Sequence, residues 1–200
     1  LEFIKKDRLK MKFVKVQQKN FLENVISDAD YKFLKSKLKK DGFIDWYFVV
    51  WFLTATGARV SELLQIKVEH VYAGYLDPYT KGGKIRRIYI PKKLMTEAIK
   101  WLEDDSRQSG YLFLNRFGER ITSRGVAMQL KHFAEKYGLN TKVVYPHSFR
   151  HRFAKNFLDR FNDIALLADL MGHESIETTR IYLRRTATEQ KQIVDKIVNW

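Results

Sequence analysis

The sequence contains no cysteine among its 200 residues. This absence excludes disulfide bonds, thiolate nucleophiles and zinc sites built on cysteine, and it fits a reducing cytosol. Long apolar runs are absent as well. The longest, residues 46–53, is too short to cross a bilayer, and no secretory leader precedes a cleavage site. We therefore expect a globular, cytoplasmic protein without membrane segments, whose nucleophile would be Ser, Thr, Tyr, Lys or a carboxylate.

Signals for bound cofactors are also missing. No GxxxxGK[ST] phosphate loop occurs, and no spacing of His, Asp and Glu resembles a metal site. We therefore expect the chain to work without a metal or any other cofactor. Internal repeats and low-complexity tracts are absent, and a hydrophobic content of 45% excludes wholesale disorder.

Acidic residues are scarce relative to basic ones. The chain has 37 Lys and Arg against 23 Asp and Glu, which gives a formal charge of +14 and an isoelectric point near 9.8. An excess of this size favours a polyanionic partner, because basic side chains release counterions from such a partner on binding. A basic surface that confers only solubility is the alternative interpretation.

Apolar periodicity and capping residues predict an α+β chain that is mainly helical. Residues 1–26 show no sustained periodicity and are interpreted as an arm or linker ahead of one domain over residues 27–200. Strand-like residues at 68–76 and 85–90, joined by a flexible tip at 80–84, predict a small antiparallel hairpin near residues 67–90. Helices are predicted at 27–41, 44–56, 61–66, 94–104, 126–137, 149–161, 164–171, from Ser175 through Tyr182 and at 190–200, with an extended segment at 111–114.

His147-Ser-Phe-Arg150 places an imidazole and a guanidinium three residues apart at the start of a predicted helix. Both side chains can project from its first turn toward one point, where the helix N-terminus adds backbone N–H groups. A phosphate bound there would meet a cation and an imidazole together. For an isolated motif of this kind, an exposed basic turn followed by a phenylalanine stripe is the more common interpretation.

Two further candidates follow downstream. His173 comes directly after the predicted helix stop at Gly172, which would fix the angle of its side chain, although a capping or core histidine is the alternative. On a helical wheel Tyr182 falls with Thr178 rather than on the apolar stripe, which favours an available phenol over a core tyrosine. The remaining histidines lack such neighbours and are interpreted as surface or structural side chains: His70, His132 and His151.

Upstream basic residues complete the set. Arg59 lies at a break between helices, and Glu62 three residues later can hold its guanidinium in place, although this could be only an ion pair. Lys81 is on the flexible hairpin tip, where an ammonium could reach a substrate and donate a proton to a leaving oxygen. The same hairpin carries a basic lining suited to a DNA backbone, formed by Lys84, Arg86 and Arg87.

Together these motifs resemble the tyrosine recombinase family, or phage integrases, whose catalytic domain carries Arg, Lys, HxxR, His or Trp, and Tyr in this order. The matching segments are Thr56-Gly-Ala-Arg59-Val-Ser-Glu-Leu63, Thr80-Lys-Gly-Gly-Lys84, His147-Ser-Phe-Arg150, Leu170-Met-Gly-His173 and Thr178-Thr-Arg-Ile-Tyr182. His173 and Tyr182 are nine positions apart, as in the family, and the resemblance runs from about residue 27 to the end. It gives six catalytic candidates, Arg59, Lys81, His147, Arg150, His173 and Tyr182, with Lys84 as the alternative to Lys81.

The resemblance implies the catalytic-domain fold of this family and a site-specific DNA recombinase or integrase. Tyr182 would attack a scissile phosphate to form a 3′-phosphotyrosyl link, and Lys81 would protonate the leaving 5′-oxygen. The link conserves the energy of the broken bond, so rejoining would need no ATP. The remaining implied roles are phosphate binding by Arg59, Arg150 and His173, and proton movement at the tyrosine by His147.

The implied partner is double-stranded DNA, on which the chain would assemble as a homo-oligomer, a synaptic tetramer, with accessory DNA-bending proteins as further partners. Full-length family members carry a helical core-binding domain ahead of this region, so we interpret the chain as an isolated catalytic domain. Two alternatives are a type IB topoisomerase, which relaxes supercoils with the same tyrosine chemistry, and a DNA-binding relative without catalysis. The HxxR motif and the spacing of His173 from Tyr182 favour the recombinase.

Overall fold

The structure is a computed structural model that describes residues 25–79, 86–173, 175–183 and 194–197. Within these ranges no helix is both long and apolar enough to cross a membrane. Residues 194–197 are helical. The other elements, in chain order, are α1 (Asp28–Lys40), α2 (Ile44–Thr56), α3 (Val60–Leu63), α4 (Val68–Ala73), β1 (Tyr75–Leu76), β2 (Ile88–Tyr89), α5 (Lys92–Asp104), α6 (Ser123–Lys136), α7 (Pro146–Arg160), α8 (Ile164–Met171), α9 (Ile176–Arg180) and a 3₁₀ helix (Ile181–Leu183).

The predicted fold class, mainly helical with a small antiparallel sheet, is confirmed. Helix α1 begins at the predicted cap, where Ser27 Oγ accepts a hydrogen bond from the Asp30 N–H at 3.0 Å. Residues 1–24 of the predicted arm, and the hairpin tip at 80–84 with Lys81 and Lys84, lie outside the described residues. Ile26, which lies in the predicted arm, is instead buried in the core, and its N–H donates to Ser148 Oγ at 2.8 Å.

The predicted strand over residues 68–76 is wrong for most of its length. Residues Val68–Ala73 form helix α4, and only Tyr75–Leu76 pair as a strand. Val68 and Val71 are fully buried and three positions apart, so their apolar character reflects one face of a helical turn rather than strand alternation. Gly74 ends this helix in the left-handed conformation at φ 79°.

Helix α2 is the centre of the main core, as its nearly continuous apolar sequence predicts. It packs against α1, α5 and α7. Phe52 and Leu53 are fully buried, and the ring of Phe48 stacks on Trp101 of α5 with centroids 4.5 Å apart. Burial of Phe52, Leu53 and Thr56 fixes the C-terminal end of α2, which leads through Gly57 directly to Arg59.

A smaller apolar cluster holds the C-terminal part of the described chain against α7. It contains Ala154, Leu158, Leu167 and Met171, and Phe153, Phe157, Ile164, Tyr182 and Leu183 pack around it. This cluster joins α8 and the 3₁₀ helix to α7. It therefore sets the position of the turn that carries His173 and of the tyrosine that follows.

The two-stranded sheet lies beside α4 and α5. Tyr75 pairs with Tyr89 and Leu76 with Ile88 in antiparallel register. Leu76 and Ile88 point into the core, whereas both tyrosines are exposed. This alternation leaves Arg86, two residues before Ile88, on the inner side and Arg87 on the outer side.

Gly57 is a point of close packing between α2 and α7, and its substitution gives a first testable prediction. Its φ is +62°, and a Cβ at this position would lie 2.4 Å from Cδ1 of Phe153. We expect Gly57→Ala to lower the free energy of unfolding by about 2–5 kcal/mol, because left-handed backbone strain and overpacking act together. Urea unfolding followed by circular dichroism measures this change.

Gly138→Ala is the matched control for this prediction. Gly138 also has a left-handed backbone, with φ +68°, but a Cβ there would meet nothing within 4 Å. It should therefore lose only the backbone component, about 1–2 kcal/mol. Equal losses in the two variants would contradict the packing argument at Gly57.

Candidate active site

The two predicted catalytic arginines lie together, although 91 positions separate them in the sequence. Arg150, in the first turns of α7, donates from Nη1 to the Gly57 carbonyl at 2.5 Å and from Nη2 to the Met171 carbonyl at 2.6 Å. Arg59 donates from Nη2 to the Gly172 carbonyl at 3.2 Å. Carbonyls at the ends of α2 and α8 therefore hold both guanidinium groups at one place.

Arg59 caps the short helix α3 and is directed by Glu62. Its backbone N–H donates to Glu62 Oε2 at 2.6 Å, and its Nη1 donates to Oε1 at 3.0 Å. The Arg59 side chain remains 39% exposed, whereas that of Glu62 is 2% exposed. The predicted support of Arg59 by Glu62 is thus present, and the guanidinium keeps an accessible face for a ligand.

Arg86 is a buried partner of the same carboxylate. Its Nε donates to Glu62 Oε1 at 3.1 Å and its Nη2 donates to Oε2, while Nη1 donates to the Leu170 carbonyl. Only 8% of its side chain is exposed. The prediction that Arg86 lines a DNA-facing hairpin is therefore wrong, because every part of its guanidinium is turned inward toward Glu62 and the end of α8.

Glu62 carries the negative charge of this cluster. Burial acts to raise the pKa of its carboxyl, but the hydrogen bonds and charges of Arg86 and Arg59 outweigh burial and lower that pKa. Arg150 is also buried, and burial, followed by repulsion from Arg59 and Arg86, lowers its pKa to about 9. It stays protonated at neutral pH, so the site presents cations to an incoming anion.

Arg87 is exposed on the outer face of the sheet. Its Nε and Nη2 donate to the two carboxylate oxygens of Asp77 at 2.9 and 2.8 Å, and its guanidinium lies 4.0 Å from the centre of the Tyr75 ring. This surface position is compatible with a contact to a DNA backbone. The assignment of Arg87 to DNA binding stays a prediction.

His147 and His173 lie at the edge of the arginine pair. His147 is exposed in the first turn of α7, and partial burial, then Arg150 and Arg59, lower its pKa. His173 follows Gly172, whose backbone is left-handed as predicted, and its Nδ1 is 2.7 Å from Thr179 Oγ1. Burial, then Arg150 and the other arginines, lower the pKa of His173 to about 4, so its imidazole is neutral at pH 7.

Tyr182 is half-buried beside the arginines in the 3₁₀ helix. Burial raises the pKa of its phenol to about 12, while the charge of Arg150 acts in the opposite direction. The helical-wheel argument for an available phenol assumes that α9 continues through this residue, but α9 ends at Arg180 and the Tyr182 ring packs on the smaller apolar cluster. Its hydroxyl nevertheless points to a polar partner.

That partner is His151, whose Nδ1 is 2.6 Å from the Tyr182 hydroxyl. The prediction that His151 has no neighbour among the candidate residues is therefore wrong, whereas a structural role for it is compatible with this contact. Its position gave a usable signal, because it is four residues after His147 and directly after Arg150 on the same helix. Residues four apart share a helix face, and Tyr182 contacts this face at His151.

Five of the six predicted catalytic residues thus belong to one cluster, and Lys81 lies outside the described residues. The cluster contains two guanidinium groups, neutral imidazoles and a protonated phenol. This set can bind a phosphodiester, neutralise charge that develops on its oxygens and supply a nucleophile. In the described part of the chain, no group of three or more His, Asp or Glu side chains is arranged to hold a metal ion.

Comparison with known proteins gives consistent matches. The model of the phage integrase family matches residues 24–189. The chain is 36% identical over 181 residues to tyrosine recombinase XerA of Pyrococcus furiosus, covering 88% of this chain and 62% of the relative. It is 33% identical over 150 residues to tyrosine recombinase XerD of Listeria monocytogenes, covering 70% of this chain and 50% of the relative. The chain therefore spans about half to three fifths of the length of these relatives.

A solved structure shares the fold at lower sequence identity. The Tn1549 transposon integrase in complex with transposon right end DNA superimposes with a TM-score of 0.72 at 16% identity, over 87% of this chain and 66% of that chain. This likeness confirms the predicted catalytic-domain fold.

Proposed function

The chain belongs to the phage integrase family of tyrosine recombinases, and on this basis we propose that it cleaves and rejoins DNA at specific sites through a 3′-phosphotyrosyl intermediate. The observation that carries the proposal is the convergence of Arg59, Arg150 and Tyr182, held by backbone carbonyls and His151. The names of the relatives and the DNA complex of the Tn1549 integrase support the same conclusion.

The scissile phosphate would bind between Arg59 and Arg150. Their guanidinium groups donate to the non-bridging oxygens and stabilise the charge that concentrates there as phosphorus becomes five-coordinate. The Tyr182 oxygen attacks phosphorus, the bond to the 5′-oxygen breaks, and a covalent tyrosine ester replaces it. Attack by a 5′-hydroxyl from the same or another strand reverses the step and frees the tyrosine.

The remaining predicted catalytic residues would assist this exchange. His173, fixed by Thr179, donates a hydrogen bond to a phosphate oxygen through its other ring nitrogen. His147, at the exposed edge of α7, lies where proton transfer and phosphate contact are both accessible. Lys81, assigned by resemblance, would protonate the leaving 5′-oxygen, with Lys84 as the alternative.

We further propose that residues 27–200 act as the catalytic domain and that DNA binds across the face that carries the arginine pair. The charge of +14 supports binding to the DNA backbone, and the exposed guanidinium of Arg87 and the ammonium of Lys84 would add contacts near the hairpin. Strand exchange between two sites requires several copies of the domain on DNA, so a synaptic tetramer is the assembly proposed. Accessory DNA-bending proteins stay a prediction.

Covalent capture from a randomised pool of duplexes tests the proposed function. The 200-residue chain is incubated with the pool without ATP or divalent metal, denatured, and the attached DNA is sequenced. We expect enrichment of defined sites and, by mass spectrometry, a nucleotide ester on Tyr182. Absence of any adduct, or cleavage without attachment, would contradict the proposal.

The captured duplexes also separate recombinase from topoisomerase activity. A plasmid with two copies of a captured site is expected to yield recombined products, whereas a supercoiled plasmid without the site is expected to stay supercoiled. Relaxation of the second plasmid at an equal rate would favour the topoisomerase alternative.

A further inference from the structure

His151 contacts the proposed nucleophile, Tyr182, but no family motif assigns a role to this histidine. Its Nδ1 lies 2.6 Å from the Tyr182 hydroxyl, at the short end of the range for hydrogen bonds between neutral groups. The two ring centroids are 5.6 Å apart at an angle of 52°, so the contact is made edge to edge by the polar atoms rather than by stacked rings. The attacking atom of the proposed reaction therefore already has a fixed polar partner.

The protonation states of the two groups limit the roles that each can take in this hydrogen bond. Burial, then the nearby His147 and Arg150, lower the pKa of His151 to about 4. Burial raises the pKa of Tyr182 to about 12. At neutral pH the imidazole is therefore uncharged and the phenol is protonated. In the tautomer that carries its ring proton on Nε2, His151 Nδ1 accepts a hydrogen bond from the phenol.

The other imidazoles of the site are placed for different tasks. The Nδ1 of His173 is engaged with Thr179 Oγ1 at 2.7 Å. His147 is exposed one turn before His151, with 6.1 Å between the two ring centroids. His147 thus faces the solvent, where DNA would bind, whereas His151 lies behind it against the phenol.

We propose that His151 is the general base that accepts the phenolic proton of Tyr182 during attack on DNA, an inference that rests on the proposed function. The phenolic oxygen forms a bond to phosphorus as its proton moves to Nδ1, which gives an imidazolium. The bond from phosphorus to the 5′-oxygen breaks as that oxygen takes a proton from the proposed acid, Lys81. In the rejoining step the 5′-hydroxyl attacks and returns its proton to Lys81, while the imidazolium returns its proton to the departing tyrosine oxygen. Protons and charge balance over the cycle without an added reagent.

His151 can act as a base only once DNA is bound, because its pKa in the free protein lies well below neutral pH. A base of low pKa does not remove the proton from a free phenol, so the nucleophile stays protonated and in place until DNA arrives. As the oxygen–phosphorus bond forms, the phenolic oxygen loses electron density and its proton becomes acidic enough to transfer. The bound phosphate also brings a negative charge that offsets Arg150, which otherwise opposes a positive charge on His151.

The test compares His151→Gln and His151→Ala with the unmodified 200-residue chain on a duplex that this chain captures covalently. Gln keeps an acceptor for the phenol but cannot take up its proton. We expect His151→Gln to slow single-turnover adduct formation about 10²- to 10⁴-fold, the usual range for loss of a general base. DNA half-saturation and the urea midpoint of unfolding should stay close to their original values. His132→Gln, on an exposed position of α6, is the matched histidine control and should keep the original rate.

Two further measurements distinguish a general base at position 151 from a residue that only supports the structure and from the acid that protonates the leaving group. Free imidazole should accelerate His151→Ala in proportion to its unprotonated fraction, but not His132→Gln. A duplex with sulfur in place of the scissile 5′-bridging oxygen needs no proton on its leaving group, so it should restore Lys81→Ala and leave His151→Gln slow.

Three outcomes would overturn the assignment of His151. The first is an adduct rate for His151→Gln within threefold of the original rate. The second is that the sulfur-containing duplex restores the rate of this variant. The third is that losses of DNA binding and of folding stability account for its slow rate. Failure of the proposed function itself would look different. In that case the unmodified chain would form no adduct on any duplex, and both proposals would fall together.

Discussion

Replacing Tyr182 by Phe is expected to abolish covalent attachment of the chain to DNA while leaving DNA binding largely unchanged. The substitution removes only the hydroxyl that would attack phosphorus and keeps the ring that packs on the smaller apolar cluster. Because no cysteine is present to act as another strong nucleophile, we expect the adduct to fall below detection rather than to a reduced level. A denaturing gel with a captured duplex measures attachment, and a mobility shift measures binding.

The matched control for Tyr182→Phe is Tyr89→Phe. Tyr89 is exposed on strand β2 and lies away from the phosphate cluster, so its variant should form adduct at the original rate. Removing the Tyr182 hydroxyl also removes its hydrogen bond with His151 Nδ1, which should lower stability by about 1 kcal/mol. Undiminished adduct in Tyr182→Phe would contradict the assignment of the nucleophile.

The second large effect is expected at Glu62, the carboxylate that is bound by two arginines. Glu62→Ala leaves the buried guanidinium of Arg86 without its ion-pair partner, and Arg59 without its support. Breaking a buried pair from one side costs about 3–5 kcal/mol, and we expect a loss of this size in the free energy of unfolding. Adduct formation should fall by about 10²-fold or more, because one phosphate-binding guanidinium is no longer oriented.

The chain offers a matched comparison in its exposed Asp77–Arg87 pair. Both pairs have two hydrogen bonds between a guanidinium and a carboxylate, but Asp77 and Arg87 are open to solvent. Water screens the exposed charges, so Asp77→Ala should change the urea midpoint far less than Glu62→Ala. Equal changes would show that burial of the Glu62 pair has no special energetic role.

Glu62 should also leave a signature in the pH dependence of stability. Its carboxyl has a folded-state pKa below the ordinary value of 4.5. The stabilisation that this shift provides is therefore complete above pH 4.5 and is lost as pH falls from there through the lowered folded-state pKa. Urea midpoints between pH 6 and 3 should fall less steeply in Glu62→Gln than in the original chain. Parallel curves would contradict the lowered pKa.

The extent to which sequence predicts this molecule depends on the range of the interactions involved. The caps at Ser27 and Gly57 and the apolar run of α2 are local signals, and the helices that they predict are present. Helix α4 was missed because β-branched residues are common both in strands and on buried helical turns. Over six residues, the two-residue period of a strand and the 3.6-residue period of a helix are hard to distinguish.

The site shows the same division between local and long-range information. The motif residues Arg59, Arg150 and Tyr182 could be identified because family-like patterns surround them. The inward position of Arg86 could not, since its partners Glu62 and Leu170 lie 24 and 84 positions away. His151 stands between these cases. The sequence shows that His151 follows His147 by four residues. Its contact with Tyr182 depends on where the 3₁₀ helix places the tyrosine, which the spacing does not predict.

The carbonyl contacts of the two arginines link cleavage to the integrity of the whole domain. Arg150 donates to Gly57 and Met171, and Arg59 donates to Gly172, so segments from the middle and the end of the chain must be assembled before either guanidinium is oriented. A nascent or partly unfolded chain would carry the tyrosine without the groups that activate a phosphate. Such a chain could not carry out the proposed cleavage, so DNA would be broken only by a domain that has finished folding.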